Sequence, residues 1–176
     1  MKEVRIGLIG TGYIGKAHAI AYAQAPTVFN LRGKLVREMV AEVTPELAAE
    51  RAQAFGFNRS TGDWRALVAD PAIDVVDICS PNHLHKEMAL EAIRHGKHVY
   101  SEKPLALNAH DAREMVEAAQ RAGVKTLVGF NYMKNPTAQL AKEIIERGEI
   151  GEVIHFYGTR DQCPHRRGQR LPWRCD

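Results

Sequence analysis

The stretch of sequence that decides the fold is residues 4–15, VRIGLIGTGYIG. Its first half, Val4–Ile9, is an apolar run of the length expected for a buried strand. Its second half, Gly10–Gly15, follows the pattern G-x-G-x-x-G, and a helix-like segment extends from Tyr13 to Ala25. A strand, a glycine-rich turn and a helix in this order predict the first βα unit of a parallel sheet.

Each glycine of this turn has its own physical role in such a unit. Gly10 permits the tight turn, Gly12 lets the backbone approach a pyrophosphate, and Gly15 allows the helix to pack close to the strand. The free N–H groups and the dipole at the start of the helix then favour a bound phosphate. The pattern therefore predicts dinucleotide binding. The alternative is a tight turn in an α/β protein that binds another ligand.

Short β-branched runs alternate with helical patterns along the rest of the chain. Further strands are predicted at Leu35–Val43, Asp74–Cys79, Lys97–Ser101, Lys125–Phe130 and Glu152–Thr159. Helices are predicted between them, at Trp64–Ala69 and after the N-caps Thr44, Asn82, Asn108 and Asn135. Each strand must return to the same end of the sheet, so the strands are parallel and helices cover both faces. We expect an α/β fold with a doubly wound parallel sheet over residues 1–131, followed by an incomplete α+β domain over residues 132–176.

Composition excludes several classes of protein and partner. The chain has 176 residues, of which 45% are hydrophobic and 26% charged, so it is neither disordered, collagen-like nor a coiled coil. No apolar run approaches the roughly 18 residues of a membrane span, and we expect no membrane partner. The net charge of +3 is concentrated in residues 160–176, which argues against nucleic-acid binding. Three cysteines cannot form a disulfide framework, so a cytoplasmic location is expected.

The end of the second predicted strand carries an acidic residue, Glu42. In a dinucleotide-binding unit an acid at this place accepts hydrogen bonds from the adenosine ribose. Its carboxylate would bind both ribose hydroxyls of NAD and repel the 2′-phosphate of NADP. We therefore expect NAD, with NADP the less favoured cofactor. The alternative is an ordinary acid at a strand end.

Two further segments follow predicted strands and so belong to the same edge of the sheet. The first reads SPNHLH over residues 80–85, and the second reads SEKP over residues 101–104. His83 and His85 do not share a helix face and no carboxylate or cysteine completes a ligand set, so no metal is expected. Lys103 precedes a proline, which holds it in an extended or turn conformation. It is a candidate acid–base group, although an ordinary surface turn is the alternative.

These segments match a known family when they are taken together with GFNY at residues 129–132 and GEIGEV at residues 148–153. In this order and spacing the chain resembles the glucose-fructose oxidoreductase / inositol dehydrogenase (Gfo/Idh/MocA) family of NAD(P)-dependent sugar oxidoreductases. The resemblance covers about residues 4 to 160, and the Glu-Lys-Pro tripeptide is its most specific part. The Tyr13–Tyr22 helix and the GFNY segment look most like the levoglucosan dehydrogenase branch.

The resemblance implies a role for each matching residue. Lys103 corresponds to the catalytic lysine of the family, and the bond to Pro104 is often cis there. Glu102 would contact the nicotinamide ribose, and Asn131 would lie near the nicotinamide. The other implied cofactor-binding residues are Gly10, Gly12, Tyr13, Ile14 and Gly15 at the pyrophosphate, Glu42 at the adenosine ribose, and Ser80, Pro81, Asn82 and His85 in the cofactor cleft.

The implied activity is hydride transfer between a nicotinamide cofactor and a secondary alcohol of a sugar or cyclitol. The full-length form is expected to be a homo-oligomer.

The chain departs from the family in two places. Met133-Lys134 stands where an arginine is common, and the downstream Asp–His catalytic pair is not reached. We therefore expect this chain to bind cofactor but to be catalytically incomplete. The alternative function is a non-catalytic NAD-binding module or sensor.

Overall fold

The computed structural model describes residues 2–158. Six strands form one sheet: β1 Lys2–Ile9, β2 Gly33–Ala41, β3 Arg59–Thr61, β4 Val75–Ile78, β5 His98–Ser101 and β6 Thr126–Val128. Their order is β3-β2-β1-β4-β5-β6, and every neighbouring pair is parallel. The helices are α1 Tyr13–Val28, α2 Pro45–Phe55, α3 Trp64–Ala69, α4 His85–Arg94, α5 Ala109–Ala122 and α6 Pro136–Glu146. The predicted doubly wound parallel sheet is confirmed.

The sheet is covered on both faces, which explains its apolar strands. On one face, buried side chains of β4 pack with those of α3, α4 and α5, among them Val76, Leu67, Met88 and Met115. On the other face a smaller cluster joins Leu8, Ala19 of α1 and Ala52 of α2, with Cys79 at the end of β4. Alternate residues of one strand therefore enter different cores.

Two compact units divide the chain, Met1–Asn131 and Tyr132–Asp176. The whole sheet and α1 to α5 lie in the first unit, and α6 lies in the second. Within residues 2–158 no helix is both long enough and apolar enough to cross a bilayer. The basic segment 160–176, on which the charge argument rested, lies outside the described residues.

Most helix starts agree with the predicted caps. The Thr44 hydroxyl accepts from Leu47 N, and the Asn108 and Asn135 side chains accept from backbone N–H groups in the first turns of α5 and α6. The prediction that Asn82 caps a helix is wrong. Asn82 begins a 3₁₀ turn, Asn82–Leu84, whose N-cap is Pro81, and α4 follows at His85 without a side-chain cap. A cap must lie outside the helical turn, whereas Asn82 is its first residue.

Two strand assignments also differ from expectation. Strand β3, only three residues long at the edge of the sheet, was not predicted because it is too short for a hydrophobic period. The predicted strand Glu152–Thr159 is wrong for residues 152–158, which form no strand, and Thr159 lies outside the described residues. Strand propensity is expressed only where a partner strand and a core are available, and Ile154 and Phe156 are almost fully exposed.

The cap of α5 gives a test of the fold. Asn108 Oδ1 accepts from Asp111 N at 2.9 Å, and Asn108 Nδ2 donates to Asp111 Oδ2 at 2.7 Å. We expect Asn108→Ala to lower the free energy of unfolding by about 1 kcal/mol, because an N-terminal amide loses its acceptor. Urea denaturation measures the change. The matched control is Gln120→Ala on the exposed face of the same helix, which we expect to be near neutral; equal effects of the two variants would contradict the role of the cap.

Candidate functional site

The carboxyl ends of the strands place the predicted site segments at one edge of the sheet. After β1 the chain builds the sheet towards β3, and after β4 it builds in the opposite direction towards β6. Ligands of open α/β sheets bind in the crevice at this reversal point, outside the carboxyl ends of the strands. Here the crevice is bordered by the loops after β1 and β4, which carry Gly10–Gly12 and Ser80–Asn82.

Gly10 and Gly15 have the geometry predicted for a tight turn and for close packing of the helix on the strand. Gly10 has φ +85°, and a Cβ there would lie 2.9 Å from the carbonyl oxygen of Cys79. A Cβ on Gly15 would lie 2.0 Å from the carbonyl oxygen of Gly10, so α1 can approach the turn only without a side chain. At Gly12, by contrast, a Cβ would meet nothing within 4 Å. Gly10 and Gly15 are therefore required by the fold, whereas Gly12 leaves open space.

The start of α1 is open to an anion. Gly12 is the N-cap and supplies no side-chain hydrogen bond, and the first turn carries no acidic residue. N–H groups at a helix start have no partner within the helix. With the helix dipole, they attract a negatively charged group such as a phosphate.

Glu42 lies beside this turn, at the end of β2. Its Oε1 accepts hydrogen bonds from Thr11 N at 2.6 Å and from Thr11 Oγ1 at 2.5 Å, and its Oε2 accepts from Val43 N at 3.1 Å. The carboxylate therefore ties the end of β2 to the glycine turn. Thr11 was not singled out from the sequence, because no spacing rule joins it to Glu42; the hydroxyl inside the glycine turn was the only available signal.

The loop after β4 contains a buried polar atom without a partner. Ser80 Oγ is shielded from solvent and makes no hydrogen bond with any of residues 2–158. Pro81 and Asn82 are exposed next to it. A buried hydroxyl without a partner is costly in a folded protein, so its place at this edge fits a ligand that would complete it.

His85 connects this loop to the loop after β5. The imidazole is fully buried, with Nδ1 2.8 Å from Pro104 O and Nε2 3.0 Å from Ser80 O. Both partners are carbonyl oxygens, which only accept, so each contact is a hydrogen bond when the ring nitrogen that faces it carries a proton. The structure thus places His85 behind the cleft, where it shapes the Ser80 and Pro104 backbone.

The loop after β5 carries the Glu-Lys-Pro tripeptide. Glu102 N donates to Ile78 O at 2.9 Å, and the Glu102 side chain is buried. Its Oε2 accepts from Lys103 N at 3.2 Å, the Lys103–Pro104 bond is cis as the resemblance implied, and the Lys103 side chain is exposed. A Cβ on Gly129 would lie 2.2 Å from Glu102 Oε1, so that glycine leaves room for the carboxylate.

Asn131 ends the first compact unit. It is exposed, and its N–H donates to Gly129 O at 3.0 Å. Among residues 2–158, the predicted site residues on the loops after β1, β2, β4 and β5 therefore share the carboxyl edge of the sheet, and Asn131 follows β6 at the same edge.

Sequence reasoning missed a buried polar cluster directly behind the glycine turn. Asp77 of β4 is completely buried, and its Oδ2 accepts from Tyr22 OH at 2.7 Å and lies 2.8 Å from His18 Nδ1. The sulfur of Cys79 is 3.4 Å from the same ring nitrogen. Burial and the Asp77 charge raise the pKa of the Tyr22 hydroxyl and of the Cys79 thiol, so both stay protonated. The available signal was an aspartate in the middle of an otherwise apolar strand, VVDI.

Comparison with known proteins agrees with this arrangement. Residues 4–130 match the family described as "Oxidoreductase family, NAD-binding Rossmann fold". The levoglucosan dehydrogenase of Pseudarthrobacter phenanthrenivorans is 48% identical over 160 residues, which cover 90% of this chain and 41% of that protein. The myo-inositol 2-dehydrogenase of Thermotoga maritima is 31% identical, with 92% of this chain and 46% of that protein covered.

A solved structure of a levoglucosan dehydrogenase in complex with NADH and levoglucosan is also similar. It superposes with a TM-score of 0.83 at 47% identity, covering 86% of this chain and 41% of that one. The chain thus spans less than half the length of these relatives.

Gly15, the most closely packed glycine of the turn, and Gly12, the least closely packed, form a matched pair for experiment. We expect Gly15→Ala to lower the free energy of unfolding by about 1–3 kcal/mol or more, because its Cβ meets a backbone oxygen that cannot move away. Gly12→Ser enters open space at an N-cap, where serine is favourable, so its stability is expected to stay close to that of the unmodified chain. Thermal unfolding followed by circular dichroism compares them. Equal destabilisation by both changes would contradict the described packing of α1.

Proposed function

This chain belongs to the oxidoreductase family with an NAD-binding Rossmann fold, and on this premise we propose that it binds NAD at the carboxyl edge of its sheet. The observation that carries the proposal is the open start of α1, where Gly12 leaves space and no side chain caps the helix. The buried Ser80 hydroxyl at the same edge, which has no hydrogen-bond partner among residues 2–158, supports it independently.

The proposed roles follow the places of the residues along the edge. The pyrophosphate would lie on the turn and first helical residues Gly10, Gly12, Tyr13, Ile14 and Gly15. Ser80, Pro81 and Asn82 would line the middle of the cleft, with His85 supporting them from behind. Glu102 would contact the nicotinamide ribose, and Asn131 would lie near the nicotinamide ring.

Glu42 is proposed to set the preference for NAD over NADP. It is held next to the turn by Thr11, and its carboxylate remains partly exposed. A carboxylate accepts hydrogen bonds from the ribose hydroxyls. It repels a 2′-phosphate, which carries the same sign of charge.

Lys103 is proposed as the acid–base group of a dehydrogenase. NAD, when bound, supplies a hydride acceptor at its nicotinamide ring. The exposed Lys103 amine would take up the proton that leaves the alcohol oxygen during oxidation and return it in reduction. The backbone N–H of Lys103 donates a hydrogen bond to the buried Glu102 carboxylate, so the backbone from which this side chain extends is held in place.

The proposed substrate class is a secondary alcohol of a sugar or cyclitol. Relatives named for levoglucosan and myo-inositol support this class. Residues 1–131 are proposed as the cofactor domain and residues 132–176 as the beginning of the substrate domain. The boundary between compact units at Asn131 and the end of the family match at residue 130 support this division.

The 176-residue chain by itself is expected to bind NAD, and Gly12→Val is expected to remove that binding. The valine side chain would occupy the space left for the pyrophosphate, and among the described residues 2–158 it is not in the way of any packed neighbour, since no such atom lies within 4 Å of its Cβ. Lys103→Ala is the matched control and is expected to bind NAD almost as well as the unmodified chain. Isothermal titration with NAD measures both. Unchanged binding by Gly12→Val would exclude the glycine turn as the pyrophosphate site.

Turnover by the chain alone is expected to fall below detection with a panel of sugars and polyols. Hydride transfer needs a precisely placed substrate, because a misplacement of about 1 Å can cost roughly 100-fold in rate. The chain spans under half the length of its relatives, so we expect it to lack part of the machinery that places the substrate. NADH absorbance at saturating NAD is the readout. If the chain reduces NAD and this reduction disappears in Lys103→Ala, the chain is a complete enzyme and the expectation is wrong. NAD binding without reduction is also the result expected for the alternative, a non-catalytic NAD-binding module.

Glu42 has its own test. We expect the unmodified chain to bind NAD more tightly than NADP and Glu42→Gln to narrow this difference, because the amide no longer repels a phosphate. Fluorescence titration with both cofactors gives the two dissociation constants. Glu46→Gln, an exposed acid in the first turn of α2, serves as control for overall charge. Equal dissociation constants of NAD and NADP for the unmodified chain would contradict the role proposed for Glu42.

A further inference from the structure

The imidazole of His18 lies between two buried carboxylates. His18 belongs to α1, and its side chain is only 12% exposed. Its Nδ1 is 2.8 Å from Asp77 Oδ2, and its Nε2 is 3.3 Å from Glu102 Oε1. Asp77 is on β4 and Glu102 follows β5, so one ring joins the helix that begins at the glycine turn to two strand ends.

This arrangement selects the doubly protonated form of the ring. A neutral imidazole has one N–H, so one of its nitrogens would direct a lone pair at a carboxylate oxygen. The imidazolium carries an N–H on both nitrogens, forms a hydrogen bond with Asp77 and an ion pair with Glu102, and places one positive charge between two negative ones. Burial alone lowers the pKa of His18, but the hydrogen bonds and charges of Asp77 and Glu102 outweigh it, and the net pKa is raised above 6.5.

The other groups around the ring are neutral. Tyr22 OH donates to Asp77, Cys79 Sγ donates to Asp77 Oδ1 at 3.6 Å, and the ring of Tyr100 stacks on His18 at 5.0 Å with an interplanar angle of 14°. Burial and the nearby carboxylates raise the pKa of Tyr100 as well. The charge of His18 is therefore balanced by Asp77 and Glu102, not by any of these neighbours.

A metal ion is a weaker explanation of the same cluster. His18, Asp77 and Cys79 bring three potential ligand atoms within 4.8 Å of one another. In a tetrahedral zinc site, bonds of roughly 2.0–2.1 Å to nitrogen and oxygen keep those two ligand atoms more than 3 Å apart. The observed 2.8 Å between Nδ1 and Oδ2 is the distance of a hydrogen bond.

We propose that His18 is a positioning residue which, as an imidazolium, holds the Glu102 carboxylate at the cofactor cleft. His18 Nε2 forms an ion pair with Glu102 Oε1 at 3.3 Å, and Glu102 Oε2 accepts from Lys103 N. The same charge thus orients both the acid proposed to meet the nicotinamide ribose and the backbone of the proposed catalytic lysine. The part of the inference that concerns NAD rests on the proposed function.

The pH dependence follows from the sign of the shift. The pKa of His18 is raised in the folded chain, so the His18 charge stabilises the fold fully below the unfolded pKa of about 6.5. That stabilisation is lost as the pH rises through the raised pKa. Above it, Glu102 loses its charged partner and faces Asp77 across a neutral ring, so its carboxylate is held less firmly and keeps the hydrogen bond from Lys103 N.

The first test needs no cofactor. Imidazole ¹⁵N spectra of the full chain, with the His18 signal identified by its loss in His18→Gln, are expected to show both ring nitrogens protonated at pH 6.5. The amide signal of Lys103 is expected to titrate with the same pKa and to stop titrating in His18→Gln. A singly protonated ring at pH 6.5, or a Lys103 amide that ignores the His18 titration, would overturn the proposal.

A second pair of variants separates positioning from folding. Glu102→Gln keeps the shape of the side chain but removes one charge, and is expected to lower the pKa of His18 while Asp77 still holds the ring. Gly129→Ala pushes a Cβ against Glu102 Oε1, and is expected to shift the Lys103 amide signal as His18→Gln does. An unchanged pKa of His18 in Glu102→Gln would contradict contact between the two groups.

The cofactor arm then measures the NAD dissociation constant from pH 6 to pH 9. We expect affinity to fall about tenfold as His18 loses its proton, which corresponds to the loss of one charge-assisted hydrogen bond. His18→Gln is expected to bind weakly at every pH, and His110→Gln, an exposed histidine of α5, to behave like the unmodified chain. A pH-independent affinity would overturn the link to the cofactor, whereas absence of NAD binding at every pH with the spectral results intact would overturn the proposed function alone.

Discussion

The close approach of α1 to the end of β1 is the constraint on which the rest of the site depends. A Cβ on Gly15 would lie 2.0 Å from Gly10 O, and one on Gly10 would touch the backbone of Cys79. Only hydrogen atoms fit between the helix, the turn and the end of β4. This packing places the first N–H groups of α1 over the crevice between β1 and β4. It also brings His18, which lies between one and two turns after the start of α1 at Tyr13, over the buried Asp77.

A buried cluster of charges in this position is a weak source of stability. Removing Asp77 and Glu102 from water is costly, and even a well-paired charge returns only part of that cost. What such a cluster supplies is geometry, because each hydrogen bond has a preferred direction and length. The cluster joins α1, β4 and the residue after β5, which are the elements whose ends line the cleft. Apolar side chains of similar size could fill this volume, but they would not orient the Glu102 carboxylate.

The parts of the molecule that could be predicted from sequence are those with local causes. The glycine turn, the doubly wound sheet, the caps at Thr44 and Asn108 and the place of Glu42 at a strand end all follow from short-range patterns. The contact of Thr11 with Glu42 and the bridge made by His18 join residues far apart in sequence, and no periodicity encodes them. The strand expected from Glu152 failed for a related reason: its residues have strand-forming side chains, but no partner strand pairs with them among residues 2–158.

The backbone at the carboxyl edge is held by hydrogen bonds that extend the sheet beyond its strands. Gly10 N donates to Ala41 O, Cys79 N to Ile9 O, Glu102 N to Ile78 O, and Gly129 N to Ser101 O, all within 2.8–3.0 Å. The residue that follows each of these strands is thus bound to the last residue of its neighbour, so the loops leave the sheet from fixed points. Side chains carried near these points, such as Glu42, Ser80 and Glu102, start from a rigid base, which is what precise binding groups require. The exposed Lys103 side chain extends from the same rigid backbone, so its conformational freedom begins beyond Cα and the position from which it extends is determined by the sheet.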